Sequence, residues 1–320
     1  MTLAHRFSGL AAKKNFPQDL LVGERMTGTA LHYLGDQADA RQHLERTLAG
    51  YPDRPPPNRY QFDQRVTAQA TLARILWLQG YPDRAMRSAR ESVEAAQASE
   101  DVLSLCNALV QAACPVALFV GDPASAERYI SMLLDHSAKH GLALWHVRGR
   151  GFNGMLLNQI GDTAAGLPLL GAALKELRET KYTGHLMAFL GAFAEASGGV
   201  GQVAEGLAAI GQALARSERT EGRWGMAELL RIKGELTLRE GGPNVTEAAE
   251  ELFLKAIDWA RRQSALSWEM RAATSLSRLW HDRSRTKEAR ELLAPVYARF
   301  TEGFGTADLV SARTLLNELR

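Results

Sequence analysis

His136 and His140 lie four residues apart in a segment of helical periodicity, and Asp135 precedes the first of them. On a helix this spacing places both imidazoles on one face, an arrangement that zinc sites use. A zinc site needs further ligands, and the sequence offers neither a third ligand nor an HExxH motif. We therefore predict solvated or interfacial histidines, with no metal ion and no other cofactor.

Cys106 and Cys114, the only two cysteines, lie eight residues apart on one predicted helix, about two turns from each other. That separation is too large for a disulfide within a helix, so we expect buried structural thiols in a reducing compartment. No catalytic motif is recognisable, and the sequence favours a non-catalytic protein. The less favoured alternative is an enzyme whose nucleophile and base only the fold brings together.

A row of long polar residues stands in the middle of otherwise apolar segments, and it is the candidate binding site. Its members lie ten or eleven residues before a recurring turn, or one helical turn earlier: Arg25, Arg65, Gln69, Asn107, Gln111, His146, Arg150 and Arg231. On the inner helices of a repeat protein such a row points into a concave groove, where a peptide or a small effector binds. The alternative is that the row only keeps the groove hydrated.

Composition limits the partners. The formal net charge is +2, with both signs interspersed along the chain, and the sequence pI is about 8.6. A DNA-binding domain usually has a basic face and a higher pI, and the six tryptophans lie among apolar residues without a basic stripe. No segment approaches the ~18 uncharged apolar residues of a membrane span. These properties predict a cytoplasmic protein that contacts neither nucleic acid nor membrane directly.

The elements that position these residues follow from a recurring turn, which is clearest at Gly35-Asp36. The turn recurs at positions 35, 80, 121, 161, 201, 242 and 284, at intervals of 40 to 45 residues. A glycine ends one helix in the left-handed conformation, and the Asp or Pro that follows begins the next. A small residue keeps phase five or six positions later and predicts close helix packing: Ala40, Ala85, Ala126, Gly166, Gly206, Ala248 and Ala289.

Strand signals are nearly absent, so we predict an all-α, tetratricopeptide-like α-solenoid in a single domain, 1–320. It is expected to be a right-handed superhelix of about seven helix pairs, with a C-terminal capping helix at 306–319. The period exceeds the ~34 residues of the standard tetratricopeptide unit, which helices about one turn longer would explain. The predicted units are 17–51, 61–100, 102–141, 142–180, 184–221, 223–265 and 266–302. Three consecutive prolines in the loop 51–58 predict an extended linker.

Several segments resemble a known family. They are Ala30–Arg46, Phe62–Ala85, Ala227–Gly241, Trp259–Trp280 and Leu292–Leu319. They are similar to the C-terminal repeat region of bacterial signalling regulators, in which a winged-helix or nucleotide cyclase domain precedes a STAND-type ATPase and tetratricopeptide-like repeats. The resemblance covers essentially the whole chain. The ATPase motif G-x-x-x-x-G-K-[ST] is absent, and no winged-helix pattern precedes the repeats, so ATP hydrolysis and DNA binding are not implied.

The resemblance implies the regulatory repeat region of a bacterial transcriptional or signal-transduction regulator. Together with the polar row, it favours a non-catalytic scaffold that binds a protein segment or a small effector in its groove. The alternative is a structural or oligomerisation module, in which a second copy or the chain's own tail fills the groove.

Overall fold

The computed structural model describes residues 2–13, 17–51, 60–180 and 185–320. The linker predicted at 51–58 lies outside these residues apart from Tyr51. All regular elements in the described part of the chain are helical, which confirms the predicted fold class. The helices are α1 (Thr2–Lys13), α2 (Pro17–Leu34), α3 (Gln37–Gly50), α4 (Gln64–Leu78), α5 (Pro82–Ala98), α6 (Val102–Ala108), a π-helical turn (Leu109–Ala113), α7 (Cys114–Val120), α8 (Pro123–Lys139), α9 (Ala143–Gln159), α10 (Thr163–Glu179), α11 (Leu186–Gly199), α12 (Val203–Thr220), α13 (Met226–Glu240), α14 (Val245–Arg262), α15 (Leu266–Asp282), α16 (Thr286–Tyr297) and α17 (Ala307–Glu318).

Each recurring turn joins two antiparallel helices, and α17 follows the last pair as the predicted cap. Gly121 has φ of 73°, in the left-handed region where a residue with a Cβ is strained. Asp122 then begins α8, because its carboxylate accepts a hydrogen bond from the backbone N–H of Ser125 at 3.0 Å. Asp36 and Asp162 cap α3 and α10 in the same way. The sequence signal and the structure therefore agree on how the pairs are made.

The small residues in phase with the turns lie where paired helices meet, with one correction. Six of them are buried: Ala40, Ala85, Ala126, Gly166, Gly206 and Ala289. Ala248 is exposed, and its neighbour Ala249 is fully buried in its place. The longer loop before α14 shifts the helical phase by one further residue, so the predicted contact residue of the sixth turn was wrong.

The third pair contains a feature that contradicts the sequence reading. Val102–Val120 is a run of 19 residues that is long and apolar enough to cross a membrane, although we expected no such stretch. In the fold, 78% of this run is buried. Neighbouring helices cover it, as they cover the core helix of a soluble protein. Its π-helical turn accommodates Pro115, which cannot donate a hydrogen bond to the carbonyl four residues earlier.

The superhelix curves until its last pairs touch its first ones. Trp77 of α4 packs against Trp268 of α15 with ring centroids 4.6 Å apart, and Phe119 of α7 contacts both rings. The backbone N–H of Gly303 donates to the carboxylate of Asp83 at 3.1 Å. The contacts across the superhelix join residues 149 to 220 positions apart and enclose the inner surface of the solenoid.

Candidate functional site

The inner surface holds a cavity of about 570 Å³. Its wall is built by the C-terminal ends of α7 and α9 and by the inward faces of α11, α13, α15 and α17. The cavity therefore depends on the closure described above, because α7 and α15 meet only across the superhelix. Its volume is within the range of pockets that hold small ligands or a few side chains of a peptide.

One wall of the cavity consists mostly of small residues. Of the seven residues of α11 that line the cavity, two are Met187 and Glu195, and the other five are small and recur at i, i+3, i+4, i+8 and i+11: Ala188, Gly191, Ala192, Ala196 and Gly199. This spacing places them on one face of the helix. Apolar and aromatic side chains complete the wall, among them Met155, Leu229 and Trp224. The small residues leave the space that a ligand would occupy.

The polar part of the cavity is centred on Arg231 of α13. Its guanidinium donates to Glu228 through Nε at 2.7 Å and through Nη2 at 3.0 Å, and to Glu195 of α11 through Nη2 at 2.7 Å. Glu235 lies 3.9 Å from Nη1 and accepts a hydrogen bond from the hydroxyl of Ser275 at 2.6 Å. Arg231 thus ties α11 to α13.

Arg271 of α15 is the second cation of the network. Its Nη1 donates to Glu228 at 3.0 Å, its Nε donates to Asp308 of α17 at 2.8 Å, and its Nη2 donates to the carbonyl of Phe119 at 3.1 Å. Its guanidinium carbon also lies 5.2 Å from the ring centroid of Trp77. One side chain therefore joins α13, α15, α17 and the end of α7.

Burial and charge act in opposite directions on these groups. Burial alone would raise the pKa of Glu228, but the charges and hydrogen bonds of Arg231 and Arg271 outweigh it and lower the pKa to about 2. Burial opposes the charged form of both arginines, yet the adjacent carboxylates raise their pKa values above the ordinary value. Burial raises the pKa of Asp308 in spite of the attraction of Arg271, and the charge of Glu228 adds to the rise.

Two further cavity residues carry polar atoms that have no hydrogen-bond partner in the described part of the chain. Trp268 is only 3% exposed, and its indole N–H has no acceptor. Asn158 of α9 has neither an acceptor for its Nδ2 nor a donor for its Oδ1. A buried polar group without a partner costs free energy. These atoms have almost no accessible surface, and the Oδ1 of Asn158 lies against Gly166 of α10, so they do not face the cavity.

Of the eight residues in the polar row, only Arg231 lies among the residues that line this cavity. Asn107 is buried and donates to the hydroxyl of Thr67, and the hydroxyl of Tyr33 donates to Gln111. The remaining members lie elsewhere: Arg25 half-buried near Tyr51 and Tyr60, Arg65 exposed on α4, Gln69 bonded to Glu91, His146 bonded to Ser137, and Arg150 paired with Glu176. Seven of the eight residues therefore lie outside this cavity, and their role in binding stays a prediction.

The residues that sequence reasoning missed follow a different spacing. Glu195, Glu235 and Arg278 stand six or seven residues before the turns at 201, 242 and 284. Counting back by about two helical turns in the fifth to seventh pairs would have found them. Nothing in the sequence places Asp308 in the site, because it reaches the cavity only through α17.

The other candidate chemistry lies outside the cavity. The rings of His136 and His140 have centroids 4.6 Å apart, and Nε2 of His136 lies 3.2 Å from the carbonyl oxygen of Val102. No group of three or more potential metal ligands occurs among the described residues. Cys106 and Cys114 are buried and unpaired, as predicted, and burial raises the pKa of Cys106 to about 11.

The fold defines a tetratricopeptide-like helical-repeat protein, and comparisons with known proteins agree with that class. No protein-family model matches the chain, and no curated protein sequence matches it. The structure is similar to a Rap protein in complex with competence and sporulation factor, with a TM-score of 0.63, 14% identity and coverage of 94% of this chain and 76% of that one.

Two more solved structures show the same likeness. Aspartyl phosphate phosphatase F from Bacillus subtilis matches with a TM-score of 0.56 and 13% identity, over 94% of this chain and 75% of that one. A Signal Transduction ATPase with Numerous Domains protein with a tetratricopeptide repeat sensor, from Pyrococcus horikoshii, matches with a TM-score of 0.51 and 13% identity, over 99% of this chain and 49% of that one. At these identities the likeness shows the fold alone.

Proposed function

We propose that this chain is a non-catalytic interaction and sensing scaffold that binds a protein or peptide segment in the cavity on its inner surface. The cavity itself carries the proposal, because it combines a wall of mostly small residues with carboxylates that accept hydrogen bonds through only one oxygen. Helical repeats use their extended concave surfaces for binding.

The chemistry of the lining favours binding over catalysis. The described lining residues include no histidine and no cysteine, and the central carboxylate, Glu228, is fixed as an anion by two guanidiniums. A general acid or base needs a pKa near the working pH, and a pKa of about 2 is far from it.

The cellular role that we propose is the sensor region of a cytoplasmic bacterial regulator of signal transduction or transcription. The sequence resemblance to STAND-type regulators and the similarity to a STAND protein with a repeat sensor support this role. The Rap protein of similar fold is in complex with competence and sporulation factor. A ligand that binds one state of such a regulator ~1–3 kcal/mol more tightly than the other is sufficient to switch it.

The proposal is tested by selecting peptides on the wild-type chain and measuring their binding to a variant whose cavity is filled by a larger side chain. Peptides are selected from a phage-displayed library of random nonapeptides on the immobilised wild-type chain, and the enriched peptides are synthesised and titrated. The Ala192→Trp variant places an indole in the cavity, and Ala124→Trp places one on the exposed start of α8 as the matched control. Circular dichroism checks that both variants fold.

We expect the selected peptides to bind the wild type and Ala124→Trp with equal affinity, and to lose at least tenfold in affinity for Ala192→Trp. Equal binding to a folded Ala192→Trp variant would remove the cavity as the binding site.

A further inference from the structure

Carboxylates hold both interior guanidiniums. Arg271 uses all three of its nitrogens on Asp308, Glu228 and the carbonyl of Phe119. Arg231 is bonded to Glu228 and Glu195, and its Nη1 faces Glu235. Each guanidinium has five N–H donors, so some remain unused, but an anionic ligand that approached them would also meet the carboxylates that surround them.

The acceptors around them are less fully engaged. Within the described residues, Glu195, Glu235 and Asp308 each accept hydrogen bonds through a single carboxylate oxygen. Their side chains are 54%, 28% and 28% exposed, so their second oxygens are accessible from the cavity. Glu228, in contrast, uses both oxygens and is 13% exposed. The three outer carboxylates remain available to a ligand.

The charges that line the cavity also favour a cationic ligand. Glu195, Glu228, Glu235 and Asp308 surround Arg231 and Arg271, which leaves more carboxylates than guanidiniums in the network. Arg278 also lines the cavity, and with it included the four carboxylates still outnumber the three guanidiniums.

The size of the cavity also fits a peptide side chain. A volume of about 570 Å³ has room for a few side chains of a peptide, and a basic one supplies the cation that the outer carboxylates lack.

We propose that the occupant of the cavity is a peptide segment with a basic side chain, whose ammonium or guanidinium group binds between Glu195, Glu235 and Asp308. This inference rests on the proposed function and specifies its ligand. Arg231 and Arg271 act as structural clamps that hold the carboxylates in place, although arginines in a cavity would ordinarily indicate an anionic ligand.

A double-mutant cycle on the selected peptides tests the charge. Each enriched peptide is compared with an analogue in which its lysine or arginine is replaced by norleucine. Both are titrated against the wild type, the double variant Glu195→Gln/Glu235→Gln, and the control Glu127→Gln, which removes an exposed carboxylate outside the cavity. Spermidine is added as a competitor in a parallel titration.

We expect selection to enrich lysine and arginine, norleucine to weaken binding to the wild type about tenfold, and the double variant to abolish this difference. Glu127→Gln is expected to change nothing. Enriched peptides that are neutral or acidic, or a norleucine effect that persists in the double variant, would overturn the inference and leave the proposed function intact. The inference would also be overturned if spermidine displaced the peptides with an inhibition constant at or below the peptide's own Kd. Selection that enriches no peptide would instead refute the proposed function.

Discussion

Glu228 accepts hydrogen bonds from two guanidiniums that belong to different helix pairs. A carboxylate with only 13% of its side chain exposed is costly to ionise unless such partners compensate for the lost hydration. Because Arg231 and Arg271 are themselves buried, removing the charge of Glu228 leaves both of them under-compensated. The contribution of this ion-pair network to the free energy of unfolding therefore depends on Glu228.

The depressed pKa of Glu228 gives a testable dependence of stability on pH. Its folded pKa of about 2 lies below the ordinary 4.5, so its stabilisation is complete above pH 4.5 and is lost as the pH falls toward 2. We expect Glu228→Gln to lower the free energy of unfolding by about 3 kcal/mol at pH 7, with a smaller difference from the wild type at pH 3. Urea unfolding at both pH values measures this.

The exposed carboxylate Glu127 provides the comparison. Glu127→Gln is expected to change the free energy of unfolding by less than about 0.5 kcal/mol at either pH. A deficit of Glu228→Gln that stays the same at pH 7 and pH 3 would show that the charge of Glu228 does not stabilise the fold.

Few individual residues of the site could be predicted from the sequence. Arg231 was found because it stands at a fixed distance before a turn. Gln69 and Arg150 share that distance, but each bonds to the partner helix of its own pair, so the same position in the repeat does not give the same environment. Spacing predicts which face of a helix a residue occupies, and it cannot predict which neighbour the side chain reaches.

Helix pairs are closest where glycines oppose each other, and α9 and α10 show this most clearly. A Cβ added at Gly154 would lie 2.8 Å from the carbonyl oxygen of Gly166, and one added at Gly166 would lie 2.7 Å from that of Gly154. Neither backbone oxygen can move without separating the helices. The sequence predicted the role of Gly166 from its phase with the turns, but it gave no sign of its partner.

This contact predicts the effect of a single methyl group. Gly154→Ala is expected to lower the free energy of unfolding by about 1–3 kcal/mol, because it forces α9 and α10 apart. Gly211→Ala is the matched control: Gly211 lies in α12, and a Cβ there would meet nothing within 4 Å. That change should be neutral or stabilise the chain by up to about 1 kcal/mol. Equal effects in denaturant titrations would contradict the packing argument.

At the scale of elements the sequence was most informative. A glycine in the left-handed conformation and a capping aspartate are local signals, and local signals survive in any tertiary context. Two predictions were wrong at this level. The uncharged run Val102–Val120 is evident in the sequence itself, although we expected no such stretch, and the fold buries it as a core helix. The contact at the sixth turn falls on Ala249 because of the length of the preceding loop.

The enclosed shape of the whole molecule depends on contacts between its early and late helix pairs, and no local sequence pattern encodes these contacts. Repeats of similar length stack into a superhelix whose curvature is the sum of small rotations between pairs. Only that sum decides that α15 meets α4 and α7. The sequence therefore predicted the solenoid and its inner surface, but not the enclosed cavity or the role of Asp308.

Closure also determines what a ligand in the cavity must touch. Residues of α11, α13, α15 and α17 are far apart along the chain, and they face one another only across this space. A segment bound there contacts several pairs at once, so it would stabilise the closed superhelix. A segment bound to the outside would contact one or two adjacent pairs.

The most direct test of the proposed binding site is photo-crosslinking of the full chain. A peptide selected on the wild-type chain is synthesised with a photoreactive group beside its basic residue, and the modified positions are mapped by mass spectrometry. We predict attachment to α11 and α13 and also to α15 or α17, with loss of all of these adducts in Ala192→Trp. Adducts confined to helices that do not line the cavity, such as α8, α12 and α14, would contradict the account.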